Sequence, residues 1–109
     1  MRFFDFLKGP DINQGVKEYR DTDGAVLLDV RTPDESRQRH IPGSKNVPLQ
    51  SISKVTGMIE DKATPIFVHC LSGARSRQAA AILQQMGYTN VKNIGGINSW
   101  PGETVTGDK

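Results

Sequence analysis

The sequence predicts an α/β fold with a central parallel sheet between two helical layers. Two apolar runs, GAVLLDV at 24–30 and PIFVHC at 65–70, lack polar alternation and read as strands covered on both faces. Strand-like and helix-like segments then alternate along a chain of only 109 residues, the pattern of parallel βαβ units. That length suffices for one modest core. The expected organisation is a single domain over 1–109, with an arm at 1–10 and a polar tail at 103–109.

Taken in order, the arm carries Phe3, Phe4, Phe6 and Leu7 as side chains to dock on the domain. PDIN at 10–13 reads as a short edge strand, with Asn13 as N-cap of a helix through QGVKEYR. The first buried strand follows. TPDE at 32–35 is the clearest helix start: Thr32 caps, Pro33 takes the first helical position, and Glu35 completes a capping box. HIPGSKNVPL at 40–49 is a turn-rich connector with a very short strand at Asn46 and Val47. Leu49, Ile52, Val55 and Ile59 share one face of a helix through LQSISKVTGMIED. The second buried strand ends on Cys70. SRQAAAILQQMG is a helix with Ala79, Ile82, Leu83 and Met86 inward and Gly87 as its stop. NVKNI is a last strand, GG a turn, and INSW a short helix. GETVTGDK reads as a frayed tail.

Composition excludes several classes. With 14 basic and 12 acidic residues the formal net charge is +2, too near balance to make nucleic acid or a membrane surface the default partner. No apolar run approaches the roughly 20 residues of a membrane helix. The opening MRFFDFLKGPD lacks a signal-peptide core and a small-residue cleavage site, so a cytoplasmic location is expected. One cysteine excludes an internal disulfide and a thiol pair that resolves itself. No His/Cys cluster has metal-ligand spacing, and no metal is expected.

That cysteine stands at a strand's carboxyl end, where ligands of parallel sheets gather. From it the chain reads C-L-S-G-A-R into a helix. Such a loop turns unpaired N–H groups inward, and the helix dipole adds positive potential. Gly73 can take a left-handed turn, Arg75 adds fixed charge, and Ser72 and Ser76 add hydroxyls, Ser76 also as a helix cap. A thiolate there has a depressed pKa and is a nucleophile. A lone cysteine is otherwise a small buried hydrophobe. The loop composition favours the nucleophile without naming the transferred group.

Two long stretches, VLLDVRTPDES…HIPGSKNVPL and VHCLSGARSRQAAAILQQMGYTNVKNIGGINSW, resemble the two signatures of the single-domain rhodaneses, the thiosulfate sulfurtransferase family. They cover most of residues 24–102 in order. Arg39 departs from a glycine usual before the histidine, and Ser36 from a common aromatic. The resemblance implies a rhodanese-like three-layer α/β/α fold and a cofactor-free reaction. Cys70 takes a sulfane sulfur from a small anionic donor as a persulfide, and a thiol or partner protein accepts it. Loop N–H groups of Leu71, Ser72, Gly73, Ala74, Arg75 and Ser76 hold the persulfide charge. Arg75 orients the donor. A monomer is expected. Two alternatives stay open: a phosphatase or arsenate reductase of the same fold, and a non-catalytic binding module. The loop between cysteine and arginine is four residues, L-S-G-A, one fewer than the resemblance implies for the phosphatases.

Further expectations attach to single residues. The family match gives Asp29 a supporting role at the loop, beside Arg31. Arg31 and Glu35 are expected to form a local ion pair. His40 is expected to bond backbone rather than act as a base. His69 points to the opposite face from Cys70 and packs. Trp100 is core or lid. Arg37, Arg39 and Arg77 are candidates for a basic rim.

Overall fold

The computed structural model describes residues 9–107. The arm's Phe3, Phe4, Phe6 and Leu7 lie outside the described residues, so their docking is not addressed. Four parallel strands form one sheet in the order β2-β1-β3-β4: β1 (Val26–Asp29), β2 (Lys45–Asn46), β3 (Ile66–Cys70) and β4 (Val91–Gly96). The helices are α1 (Ile12–Arg20), α2 (Pro33–Gln38), α3 (Val55–Met58) and α4 (Ala74–Gln85).

The two buried runs occupy the sheet's centre because each has apolar side chains for both faces. On one face Leu27, Phe67 and Ile94 pack against Ile12 and Val16 of α1. On the other, Leu28, Val68 and Cys70 pack against Ala79 and Leu83 of α4 and Val55 of α3. Alternate residues of β3 thus serve alternate layers, and the three-layer α/β/α architecture stands.

Local signals place several elements well. Thr32 Oγ1 accepts the Glu35 N–H at 3.2 Å and Glu35 Oε1 accepts the Thr32 N–H at 3.1 Å, the full capping box, worth about 1 kcal/mol. Helix α4 ends in paired bonds around Gly87, from Gly87 N–H to Gln84 O and from Tyr88 N–H to Leu83 O, a Schellman motif.

Other elements differ. PDIN is not an edge strand: Asp11 caps α1 by accepting the Asn13 N–H at 2.9 Å, so Asn13 lies inside the helix. The tiny strand is Lys45–Asn46, one residue early. The stretch 49–61 is a 3-10 helix, Leu49–Lys54, kinked at Ser51 and continued by the single turn of α3. Its apolar face is as expected, but Ser51, Ser53, Thr56 and Gly57 are poor helix formers. GG at 95–96 is not a turn: β4 runs through it, with a bulge opposite Val68 and His69. The tail is tied down at Val105, which pairs with His40 in an antiparallel bridge.

Candidate active site

Because β1 and β3 are parallel neighbours, the chains leaving their carboxyl ends run side by side. Cys70 is the last residue of β3 and 1% exposed, its side chain in the layer beneath α4. It is therefore packed and, at the same time, poised at the loop. Gly73, with φ of 104°, reverses the chain into α4 and donates its N–H to Cys70 Sγ at 3.0 Å. That φ is left-handed and favours glycine. Gly73 is the N-cap of α4 and offers no side-chain cap, so no cap side chain occupies the first N–H groups of the helix.

Ser76 is not the cap. It sits fully buried in the first turn, its Oγ 3.0 Å from the Gly73 carbonyl and 2.7 Å from Asn93 Oδ1. Burial pushes the Cys70 thiol up, but the Ser76 hydroxyl and the N–H groups of Ser76, Gly73 and Ser72 together outweigh it. The net displacement is below the ordinary thiol value. The Ser76 hydroxyl has one hydrogen, so a thiolate at Cys70 competes for it with Asn93 and the Gly73 carbonyl.

The loop is also held from β4. The Asn98 N–H donates to the Leu71 carbonyl at 3.1 Å. A methyl group at Gly96 would overlap the Leu71 carbonyl oxygen and Ser72 Cα, so the loop rests on bare backbone there. Leu71 is 43% exposed. Ser72 and Ala74 are also exposed. On the β4 side an open cleft of about 680 Å³ is lined by Ser72, Gly73, Ala74, Arg77, Asn93 and Asn98 among others.

Arg75 does not stand free. It donates from both terminal nitrogens to Glu35, at 2.7 and 3.0 Å, with both side chains about one-third exposed. These bonds, against an opposing push from burial and with help from the Thr32 N–H, hold the Glu35 carboxyl at about 2. The same contacts push the Arg75 guanidinium above its usual value. The expected Arg31–Glu35 ion pair is therefore absent. Arg31 instead donates to both carboxylate oxygens of Asp29, at 2.9 and 2.7 Å, and to the Arg39 carbonyl at 2.8 Å. Asp29 and Arg31 are essentially buried, and no hydrogen bond joins either to residues 70–76 among the described residues. They brace the segment that carries Glu35, and Glu35 reaches the loop.

His40 bonds the Ser36 carbonyl through Nδ1 at 2.9 Å, as expected. His69 is fully buried in the layer opposite Cys70, and burial pushes its pKa down against the raising effect of Asp29. Trp100 packs on the α1 layer, its indole N–H donating to the Glu103 carbonyl. Of the candidate rim, Arg37 pairs with Asp34, Arg39 reaches the Ile97 carbonyl, and Arg77 opens on the cleft. Among the described residues no group of His, Cys, Asp and Glu is arranged to hold a metal ion.

A family model described as the Rhodanese-like domain matches residues 13–103, which include every element of this site. The chain belongs to the rhodanese-like domain family. This rhodanese-like chain is 39% identical over 71 residues to "Thiosulfate sulfurtransferase PspE" of Escherichia coli strain K12, covering 64% of the chain and 68% of that protein. It is 34% identical over 104 residues to "Thiosulfate sulfurtransferase GlpE" of Pseudomonas fluorescens, covering 91% of each. Among solved structures, a "rhodanese with anions from E. coli" matches with a TM-score of 0.71 at 36% identity, over 76% of the chain and 99% of that structure.

Sequence reasoning missed Glu35 as the partner of Arg75, and Asn93, Gly96 and Asn98 as supports of the loop. For Glu35 a usable signal existed: once two strands are read as parallel neighbours, charges in the segments leaving them are candidates to meet.

Proposed function

We propose that this rhodanese-like chain is a sulfurtransferase acting through Cys70. The Cys70 thiolate attacks the outer sulfur of thiosulfate or a similar donor. A Cys–S–S bond forms, the donor's S–S bond breaks, and sulfite leaves with its electron pair. The persulfide anion rests among the N–H groups of the loop, and a thiophilic acceptor (cyanide, a thiol or a partner protein) then takes the outer sulfur. The observation that carries this reading is the Gly73 N–H aimed at Sγ from a tight loop at the start of α4. The relatives named thiosulfate sulfurtransferases support it.

Ring size argues against the phosphatase alternative. Amide donors must lie about 2.7–3.1 Å from the charge they stabilise. With four residues between Cys70 and Arg75, one fewer than the resemblance implies for the phosphatases, the loop is short for surrounding a tetrahedral phosphate. Intact mass after thiosulfate treatment should show one added sulfur atom, removable by cyanide and absent in Cys70→Ser. A Cys70-dependent hydrolysis of para-nitrophenyl phosphate that rivals thiosulfate:cyanide transfer would overturn the reading.

A further inference from the structure

The geometry points to Glu35 as the residue that sets which sulfur donors the loop prefers, by offsetting the charge of Arg75 at the loop's mouth. The inference rests on the sulfurtransferase reading above and names the donor class within it: singly charged sulfane donors alongside the dianion.

Arg75 is the only cation within the loop sequence C-L-S-G-A-R. Two of its five N–H donors are committed to Glu35 in a bidentate pair, and three remain for a ligand. The arginine therefore keeps directional donors but presents them from a pair whose net charge is zero. The Glu35 carboxyl, held at about 2, stays ionised at any working pH. A dianion entering this mouth meets the arginine's attraction and the carboxylate's repulsion, and the repulsion scales with the donor's charge. The attraction scales in the same way, so Glu35 cancels the advantage that an unpaired arginine would give the dianion over a monoanion.

Glu35 can be tested without dismantling its other role. Its Oε1 also accepts the Thr32 N–H in the capping box at the start of α2. Glutamine serves that box equally well. Glu35→Gln therefore removes the charge and leaves the cap.

Two donors of nearly the same shape separate charge from fit. Thiosulfate is a dianion that delivers its outer sulfur and releases sulfite. Methanethiosulfonate is a monoanion that delivers the same sulfur and releases methanesulfinate: Cys–S⁻ plus CH₃SO₂–S⁻ gives Cys–S–S⁻ plus CH₃SO₂⁻. The readout is the ratio of kcat/KM for thiosulfate to that for methanethiosulfonate. A merely structural loosening of Arg75 weakens its attraction for the dianion most and lowers the ratio, whereas loss of the Glu35 charge raises it.

Glu35→Gln should raise the ratio on the order of fivefold, the effect of one unit charge at about 6 Å in a solvated mouth. Arg75→Gln, which leaves Glu35 uncompensated, should lower it. Both shifts should shrink as salt screens the mouth. If Glu35→Gln does not fold, Glu35→Ala takes its place with the same expected rise, because Arg75→Gln alone reports on the arginine. A ratio that stays within twofold in the folded variants would overturn the role of Glu35 while leaving sulfur transfer intact. If neither donor loads Cys70 in the unaltered protein, the sulfurtransferase reading fails and takes this inference with it.

Discussion

Two of the arginine–carboxylate pairs, Asp29–Arg31 and Glu35–Arg75, do opposite work. Asp29 and Arg31 are 0% and 3% exposed, and Arg31 also reaches a backbone carbonyl. Glu35 and Arg75 have side chains 30% and 34% exposed and join segments 40 residues apart in sequence. The first pair is interior architecture. Removing one partner strands a charge where water cannot reach it. The second is half-wetted, so its contribution to stability is small, and its charge can act on an entering ligand. The same chemistry is structural or tunable according to solvent access alone.

The largest test of that contrast is Asp29→Ala. Leaving Arg31 buried without its countercharge should cost about 3–5 kcal/mol, read by urea unfolding at neutral pH. A loss below about 1 kcal/mol would show that the backbone carbonyls around Arg31 satisfy it alone.

Replacing both partners sharpens the point. Asp29→Leu with Arg31→Met should recover more than half of that loss, because no buried charge is left unpaired. It also removes the brace at the Arg39 carbonyl, so sulfur transfer should stay impaired while stability returns. Recovery of both together would separate Asp29 and Arg31 from the site altogether.

Next comes the thiol. The Cys70 pKa lies below the ordinary value chiefly through immediate hydroxyl and N–H neighbours, with the Arg75 charge coupled to it as a lesser influence. The midpoint of iodoacetamide alkylation should therefore fall below the ordinary thiol value of about 8.5. Ser76→Ala should raise that midpoint more than Arg75→Gln does. The reverse order would transfer control of the thiol to the outer pair.

The smallest effect belongs to Glu35→Gln, under about 1 kcal/mol at neutral pH and smaller still in salt. Its sign with pH is set by a carboxyl whose folded value, about 2, lies below its ordinary one. The pair's contribution is complete above about 4.3, the unfolded value. It is lost as pH falls towards 2. The stability gap between the variant and the unaltered protein should close across that window in paired urea titrations. A gap that instead widens on acidification would reverse the assignment.

What the chain wrote in consecutive residues was legible. Two unbroken apolar runs announced strands covered on both faces. Thr32, Pro33 and Glu35 announced a helix start, and Gly87 a helix end. The run from Cys70 through Gly73 to Arg75 announced a strand–loop–helix junction with a thiol at its base. These are short-range signals: side-chain period, cap chemistry and turn preference act over a few residues, so a window of sequence contains them. Where two local signals competed, a window of sequence did not choose between them. Asp11 and Asn13 are both good caps, and only the first accepts an N–H bond in that role.

What tertiary structure alone decided was which local pieces meet. Arg31 could have paired with Glu35, four residues on, and turned to Asp29 because the interior at the end of β1 enclosed both. Arg75 found Glu35 because β1 and β3 are adjacent and parallel, which sets their departing segments side by side. The bulge in β4, the bed that Gly96 provides for the loop, and the seat of Val105 beside His40 depend equally on register between distant segments. Register minimises the energy of the whole sheet and its two cores at once, and no short stretch of sequence carries that sum.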